Sequence, residues 1–425
     1  MKKGIGRCAA ALLALLLCLS CIPAFCLAED AQQDQRAEET AAGSKDKEKT
    51  AAEAEQQPGT IAAAEGSLKI DAKSAALIDV GSGQVLYEQN SHESLPPASV
   101  TKVMTMLLAL EAVDRGQISM NDAVTISQRA ASMGGSQMFM EAGETQTVET
   151  LLKGMAICSA NDACVAIAEY VGGTEEIFVE NMNKRAQELG MKDTNFVNTN
   201  GLPVADHRTS AYDIALMSRE LIKHPQTKEW FNTWQTNITV GLPGKKQTEL
   251  GLTNTNKLIK QYPGANGIKT GFTQEAGYCL SGSATKGDLT LIAVIMGAKT
   301  SKIRFAEAGR LLDYGFATYD SVNAAQKGQV MGAVGVDKGS PQTVNAVTSS
   351  DVSILVKKGE KDSVTTKVET KKLLTAPVKQ GDEIGELIVM KDGKELERHP
   401  LVAESDVKKA GIAEMYIRML KTLIE

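Results

Sequence analysis

Aromatic side chains make up only 4% of the 425 residues, too few for a base-stacking nucleic-acid platform. Positive charge is also short. Lys and Arg number 46 against 52 Asp and Glu, a net of −6, so there is no basic footprint for DNA or RNA. The four histidines, His92, His207, His224 and His399, are scattered, and neither HExxH nor paired CxxC occurs, so no metal site is expected. No GxGxxG opens a helix and no GxxxxGKS or GxxxxGKT is present, so dinucleotide and P-loop chemistry lack support. G-x-S-x-G is missing too, which removes the usual hydrolase elbow.

Cysteine is present but in the wrong arithmetic for a disulfide framework. Cys8, Cys18, Cys21 and Cys26 fall near the N-terminus, leaving Cys158, Cys164 and Cys279, an odd number. Cys158 and Cys164 are expected on one helix, six positions apart and so on different faces, acting as small buried hydrophobes.

The N-terminus has the pattern of an export signal over residues 1–28. Lys2, Lys3 and Arg7 precede an apolar run from Cys8 to Ile22, and Cys-Leu-Ala at 26–28 offers a cleavage site. An uncleaved anchor is the alternative, because the apolar stretch to Ala28 is long enough. Either way the body of the protein is expected outside the cytoplasm, at the outer face of the membrane or in the wall. Residues 29–66 carry ten acids and four bases and no aromatic residue, a spacer without enough apolar surface to offset ordering entropy.

Regular patterning begins near Ser67. Residues 75–80 and 84–89 read as a hairpin around Gly-Ser-Gly, and residues 103–225 as mostly helical. Strand signals return in GANGIKTGF, AGYCLSGSA and LTLIAVIMGA, and 301–317 reads as a closing helix. Strands on both sides of a helical middle predict one α/β sheet whose outer strands are distant in sequence, spanning 67–319. Short alternating runs over 320–402 predict a small all-β domain. The last segment, 403–425, is amphipathic: Ile412, Met415, Tyr416, Met419, Leu420, Leu423 and Ile424 oppose Lys408, Lys409, Arg418, Lys421 and Glu425. A helix lying on a membrane surface fits this, and so does one packed on its own protein or on a second copy.

Three short motifs can carry chemistry. Ser-x-x-Lys occurs four times, but only Ser99–Lys102 sits where a proline-marked segment turns into an apolar helix. Three residues is close to one turn, so Lys102 should lie beside Ser99. A serine hydroxyl is a poor nucleophile without a base, and a lysine can serve once burial and a second cation disfavour its charged form. Lys269 is a candidate for that cation. Ser159-Ala160-Asn161 can face a cleft from a turn. Lys269-Thr270-Gly271 suits an edge strand, with Gly271 open to close backbone approach.

In the order Ser99, Ser159, Lys269, this set resembles the penicillin-recognising serine enzymes. PPASVTKVMT, CSANDACVAIAE, MNKRAQELGMKDTNFVNTNGL, GIKTGFTQEAGYCL and IRFAEAGRLLDYGF are similar, more narrowly, to low-molecular-weight D-alanyl-D-alanine carboxypeptidases over about residues 70–400. The resemblance implies a transpeptidase-type α/β domain, with a helical subdomain, followed by a small all-β domain. It implies acylation of Ser99, Lys102 as its base, and Ser159 as the proton relay to the leaving D-alanine. Asn161 would hold the substrate amide; Lys269, Thr270 and Arg304 would hold the terminal carboxylate. The backbone amides of Ser99 and Phe272 would form the oxyanion hole. Peptidoglycan stem peptides and β-lactams are the implied partners, with no cofactor. Ala160 stands where many relatives have Gly, and Phe272 where some have His. A class A β-lactamase is the rival enzyme, but its Glu-x-x-x-Asn loop is absent between Asn161 and Lys269. A non-catalytic penicillin-binding sensor or wall-binding module is the other rival.

Overall fold

The computed structural model describes residues 68–242, 244–245 and 247–424, together with a two-residue strand, Phe25–Cys26, that runs parallel to Gly251–Leu252. Apart from that strand, the segments read as export signal and acidic spacer lie outside the described residues.

The α/β unit is organised around a five-stranded sheet. Its strands are β1 (Ser74–Asp79), β2 (Val85–Gln89), β3 (Ala265–Thr273), β4 (Gly277–Lys286) and β5 (Leu289–Ala298), in the order β2-β1-β5-β4-β3. Every neighbouring pair is antiparallel. The two edges come from opposite ends of the unit's sequence, as the pattern predicts.

The near-continuous apolar runs of β1 and β5 follow from burial on both faces. Ala76, Ile78, Ile292, Val294 and Met296 join the core beneath the helical layer. Ala75, Leu77, Leu291, Ala293 and Ile295 join a second core. Among its helices are α1 (Lys102–Asp114), α2 (Val148–Ile157), α3 (Asn161–Gly172), α4 (Ala211–Leu221) and α5 (Ser301–Thr318). Of these, α5 covers the second core and the others belong to the first. Helix α1 is apolar nearly all round and runs through the interior, with Lys102 through Leu110 all buried.

From Tyr319 to its last helix the chain is all β apart from one 3-10 turn, Lys361–Ser363. A six-stranded sheet (Val364–Thr370, Glu383–Lys391, Lys394–Ala403, Thr343–Thr348, Val330–Asp337, Leu374–Thr375, in spatial order) and a pair, Tyr319–Ala325 with Val352–Lys357, enclose a separate aliphatic core. The β unit runs past the expected limit of 402, because Val407 bridges Val378 and Lys408–Lys409 pairs with Gly339–Ser340. The final helix, α6, therefore covers Ile412–Ile424 rather than starting at 403. Its polar side is tied down. Arg418 donates to the Gly339 carbonyl at 2.7 Å and pairs with Glu414, which accepts from Ser340 Oγ at 3.0 Å. Ile412, Tyr416, Ile417, Met419 and Leu420 stay exposed. No described helix is long and apolar enough to cross a membrane.

Candidate active site

The first motif sits at the entrance to α1. Ala98 has φ +48, and a single 3-10 turn, Ala98–Thr101, leads into the helix. This places Ser99 one turn ahead of Lys102, whose Nζ donates to Ser99 Oγ at 3.1 Å. The same nitrogen donates to Asn161 Oδ1 and to the Asn200 carbonyl, each at 2.7 Å. Lys102 has no exposed surface.

The second motif occupies a break between helices. Cys158 and Cys164 do not share a helix as expected: α2 stops at Ile157, Ser159 takes φ +65, and Ala160, at φ −57 and ψ 119, is non-helical before α3 begins at Asn161. Ser, Asn and Asp close together favour such a break, because their side chains compete for backbone groups. Asp162 consolidates it, accepting the N–H groups of Ala163 and Met138, both at 2.9 Å. Burial raises the Asp162 pKa, and those N–H bonds oppose the rise. Asn161 uses both ends of its amide, Oδ1 for Lys102 and Nδ2 for the Gly134 carbonyl at 2.7 Å. Both cysteines are buried and unbridged, and burial pushes the Cys164 thiol up to about 12.

The third motif lies on β3, the edge strand, as expected. Simple alternation fails here, since Ile268 through Gly271 are all buried; the strand is covered on both sides. Lys269 Nζ donates to the Thr270 carbonyl at 2.9 Å. Thr270 Oγ1 donates to Thr255 Oγ1 at 2.7 Å, and the Thr255 N–H donates to the Ile157 carbonyl at 3.1 Å, tying this strand to the end of α2. A β-carbon on Gly271 would lie 2.9 Å from the Pro97 carbonyl oxygen and 3.0 Å from Ser99 N. The close neighbour that requires glycine is thus the nucleophile's own backbone. The first motif thus meets the other two, Lys102 at Asn161 and Ser99 at Gly271, and the Cys164 thiol feels the charges of both Lys102 and Lys269.

Arg304 lies behind β3. Its Nη1 donates to the carbonyls of Gly271 (3.1 Å) and Cys279 (3.2 Å), and Nη2 to Ser301 Oγ (3.2 Å). The guanidinium sits 5.2 Å from the Tyr278 ring centre and 4.7 Å from that of Phe305, and the residue is 1% exposed. Phe272 extends this stack, its ring centre 4.3 Å from that of Tyr278. The sequence reading gives Arg304 to the substrate carboxylate; in the structure its guanidinium is engaged with the carbonyls of β3 and β4.

Four contributors are missed by the sequence reading: Asn200, Thr255, and the pair Thr101 and His207. His207 is buried, its Nε2 lies 2.7 Å from Thr101 Oγ1, and its Nδ1 accepts the Val197 N–H at 3.0 Å. Burial, reinforced by the Lys102 charge, lowers its pKa to about 4, so the ring is neutral. The polar run Asn198-Thr199-Asn200-Gly201 is the one sequence signal that could have pointed there.

Residues 59–300 match the family model described as D-alanyl-D-alanine carboxypeptidase, and residues 319–409 match that of the penicillin-binding protein 5 C-terminal domain. The chain is 47% identical over 342 residues to the D-alanyl-D-alanine carboxypeptidase DacF of Bacillus subtilis, covering 80% of this chain and 87% of that protein. It is 35% identical over 350 residues to DacC of Escherichia coli, covering 80% and 86%. Among solved structures, penicillin binding protein 5 from Haemophilus influenzae superimposes with a TM-score of 0.63 at 32% identity, over 81% of this chain and 100% of that one. With a serine and a buried lysine joined one turn apart and the two other motifs set against them, the chain belongs to the D-alanyl-D-alanine carboxypeptidase family of serine peptidases.

Proposed function

We propose that this protein removes the terminal D-alanine from peptidoglycan stem pentapeptides through an acyl-enzyme on Ser99. The observation that carries the reading is the hydrogen-bonding of Lys102. Its nitrogen meets two groups that can only accept, Asn161 Oδ1 and the Asn200 carbonyl, and one that can also donate, Ser99 Oγ. Once the amine gives up a proton, two N–H bonds serve those acceptors and its lone pair is left for the serine hydroxyl.

In acylation the Ser99 proton passes to Lys102 as Oγ bonds to the carbonyl carbon of the penultimate D-alanine. The oxyanion is received by the N–H groups of Ser99 and Phe272, where each donor is worth about 10²–10³ in rate. The C–N bond then breaks, and the proton travels from Lys102 by way of the Ser159 hydroxyl to the leaving nitrogen. Water, deprotonated by the same amine, next attacks the ester. The C–Oγ bond breaks, Ser99 regains its proton, and the shortened peptide leaves as its carboxylate. Lys269 and Thr270 bind the terminal carboxylate, and Asn161 orients the substrate amide with the free hydrogen of its Nδ2. Residues 67–319 act as the catalytic domain. Export by the N-terminal signal and attachment of α6 to the membrane through its exposed apolar side would place that domain at the outer face.

Intact-mass analysis with benzylpenicillin tests the assignment. Wild type should gain one long-lived penicilloyl adduct, and Ser99→Ala none, while D-alanine release from a peptide ending in D-Ala-D-Ala is seen with wild type alone. Rapid penicillin turnover would instead mark a β-lactamase; acylation with no D-alanine release would mark a sensor.

A further inference from the structure

The two amides assigned to the oxyanion hole belong to peptide units whose other ends are the carbonyls of Ala98 and Gly271. A peptide unit is planar, so its C=O and N–H turn together and point in opposite directions. Whatever grips the carbonyl therefore aims the amide. Each carbonyl is gripped by a side chain given no part in the chemistry above: Thr101, a middle residue of the first motif, and Arg304, which lies outside all three.

The Ala98 carbonyl accepts from Thr101 Oγ1 at 2.9 Å. The direction of that hydroxyl is fixed by His207. Because Nδ1 of the ring accepts the Val197 N–H, the proton of the neutral ring is on Nε2 and is donated to Thr101 Oγ1, leaving the threonine hydrogen for Ala98. Restraint is needed here, since Ala98 is a non-glycine residue in the left-handed region, a conformation that surroundings must impose. Gly201 closes the rest of the space: a β-carbon there would come within 1.9 Å of the Ala98 oxygen. The Gly271 carbonyl accepts from Arg304 Nη1, and the guanidinium is itself held between two rings and by Ser301. A cation at the oxygen end of a peptide also polarises it, making its N–H a stronger donor.

We propose that Thr101, oriented by His207, and Arg304 are positioning residues for the oxyanion hole, fixing the Ala98–Ser99 and Gly271–Phe272 peptide planes from their carbonyl ends so that both N–H groups converge on one point. This rests on the reading of Ser99 as the nucleophile. In this role each acts through one peptide unit.

The test uses full-length protein and benzylpenicillin carrying carbon-13 at the β-lactam carbonyl. Two quantities are read for wild type, Thr101→Val, Thr101→Ser, His207→Leu and Arg304→Lys: the second-order acylation rate and the infrared stretch of the labelled ester. Removing an oxyanion donor outright loses about 10²–10³ in rate, so misaiming one should lose about tenfold or more. Thr101→Val, His207→Leu and Arg304→Lys should each show that loss together with an ester band moved to higher wavenumber, while near-ultraviolet circular dichroism stays as in wild type. Thr101→Ser keeps the hydroxyl and should restore both. Folded variants with wild-type rates and an unmoved band overturn the proposal. For Arg304→Lys, a raised KM toward a D-Ala-D-Ala peptide with an unmoved band overturns it in favour of direct carboxylate contact. If Thr101→Val does not fold, His207→Leu and Arg304→Lys decide. Failure of wild type to acylate at Ser99 overturns the underlying functional reading, a result set apart because no variant is involved.

Discussion

In the α/β unit Lys102, Lys269, Arg304, Asp162, Asp213 and His207 are all buried, whereas from residue 319 onward Ser321 and Thr348 are the only buried polar side chains among the described residues. The β unit keeps its charges outside. Arg398 pairs with Glu395 and Glu386 at 2.7 and 2.6 Å, and Lys391 with Glu360 at 2.7 Å, on exposed strands. Exposed pairs of this kind add little to stability. Buried charges, by contrast, are held only by hydrogen bonds built for them, and removing a partner is strongly destabilising. The contrast teaches where to look for chemistry. Both units fold on aliphatic strands, but only one retains charged side chains in its interior, and two of them, Lys102 and Lys269, belong to the motifs.

The largest expected effect tests that contrast directly. Lys102→Ala should lower penicillin acylation on the order of a thousandfold, the range of a lost general base. Stopped-flow acylation on protein shown to be folded measures it, and a wild-type rate would remove Lys102 from its role. A smaller effect probes the other unit. Leu387 is fully buried in the β core, so Leu387→Ala should destabilise that unit by about 2–5 kcal/mol while leaving acylation unchanged below its melting temperature. A parallel loss of acylation would show that the two units unfold together. The smallest effect depends on pH. His207 is held near 4 against an unfolded value of 6.5, so the native state binds fewer protons than the unfolded one between those values. Its contribution is fully present above pH 6.5 and is lost as the pH falls toward 4. Between pH 7 and pH 5, wild type should lose about 2 kcal/mol relative to His207→Gln. Burial raises Asp162 and Asp213, which act in the opposite sense but are common to both proteins and cancel in the difference. Urea titrations at the two pH values read it, and parallel slopes would place the His207 titration elsewhere.

Much of this was legible in the sequence because its cause is local. One helical turn joins Ser99 to Lys102, alternating apolar runs announce both units, and β3 has the look of an edge strand. The break at Ser159 was half legible: the motif suits a turn, but apolar residues on both sides continue a helical rhythm across it, so Cys158 and Cys164 read as sharing one helix. Thr101, His207 and Asn200 escaped for a different reason. Their partners are remote: 106 residues separate Thr101 from His207, and 98 separate Lys102 from Asn200. The reach of α6 was overestimated because Lys408 and Lys409, read as its polar side, instead form a short strand.

The unbridged thiols have a practical consequence. Past residue 28 every cysteine lies in the α/β unit, and all three are shut off from solvent. Cys164 in particular has a thiol too weakly acidic to react while folded. Alkylation at that sulfur would therefore count excursions of the interior between α2 and α3, a clock for local breathing that needs no engineered probe and is silent about everything beyond Tyr319.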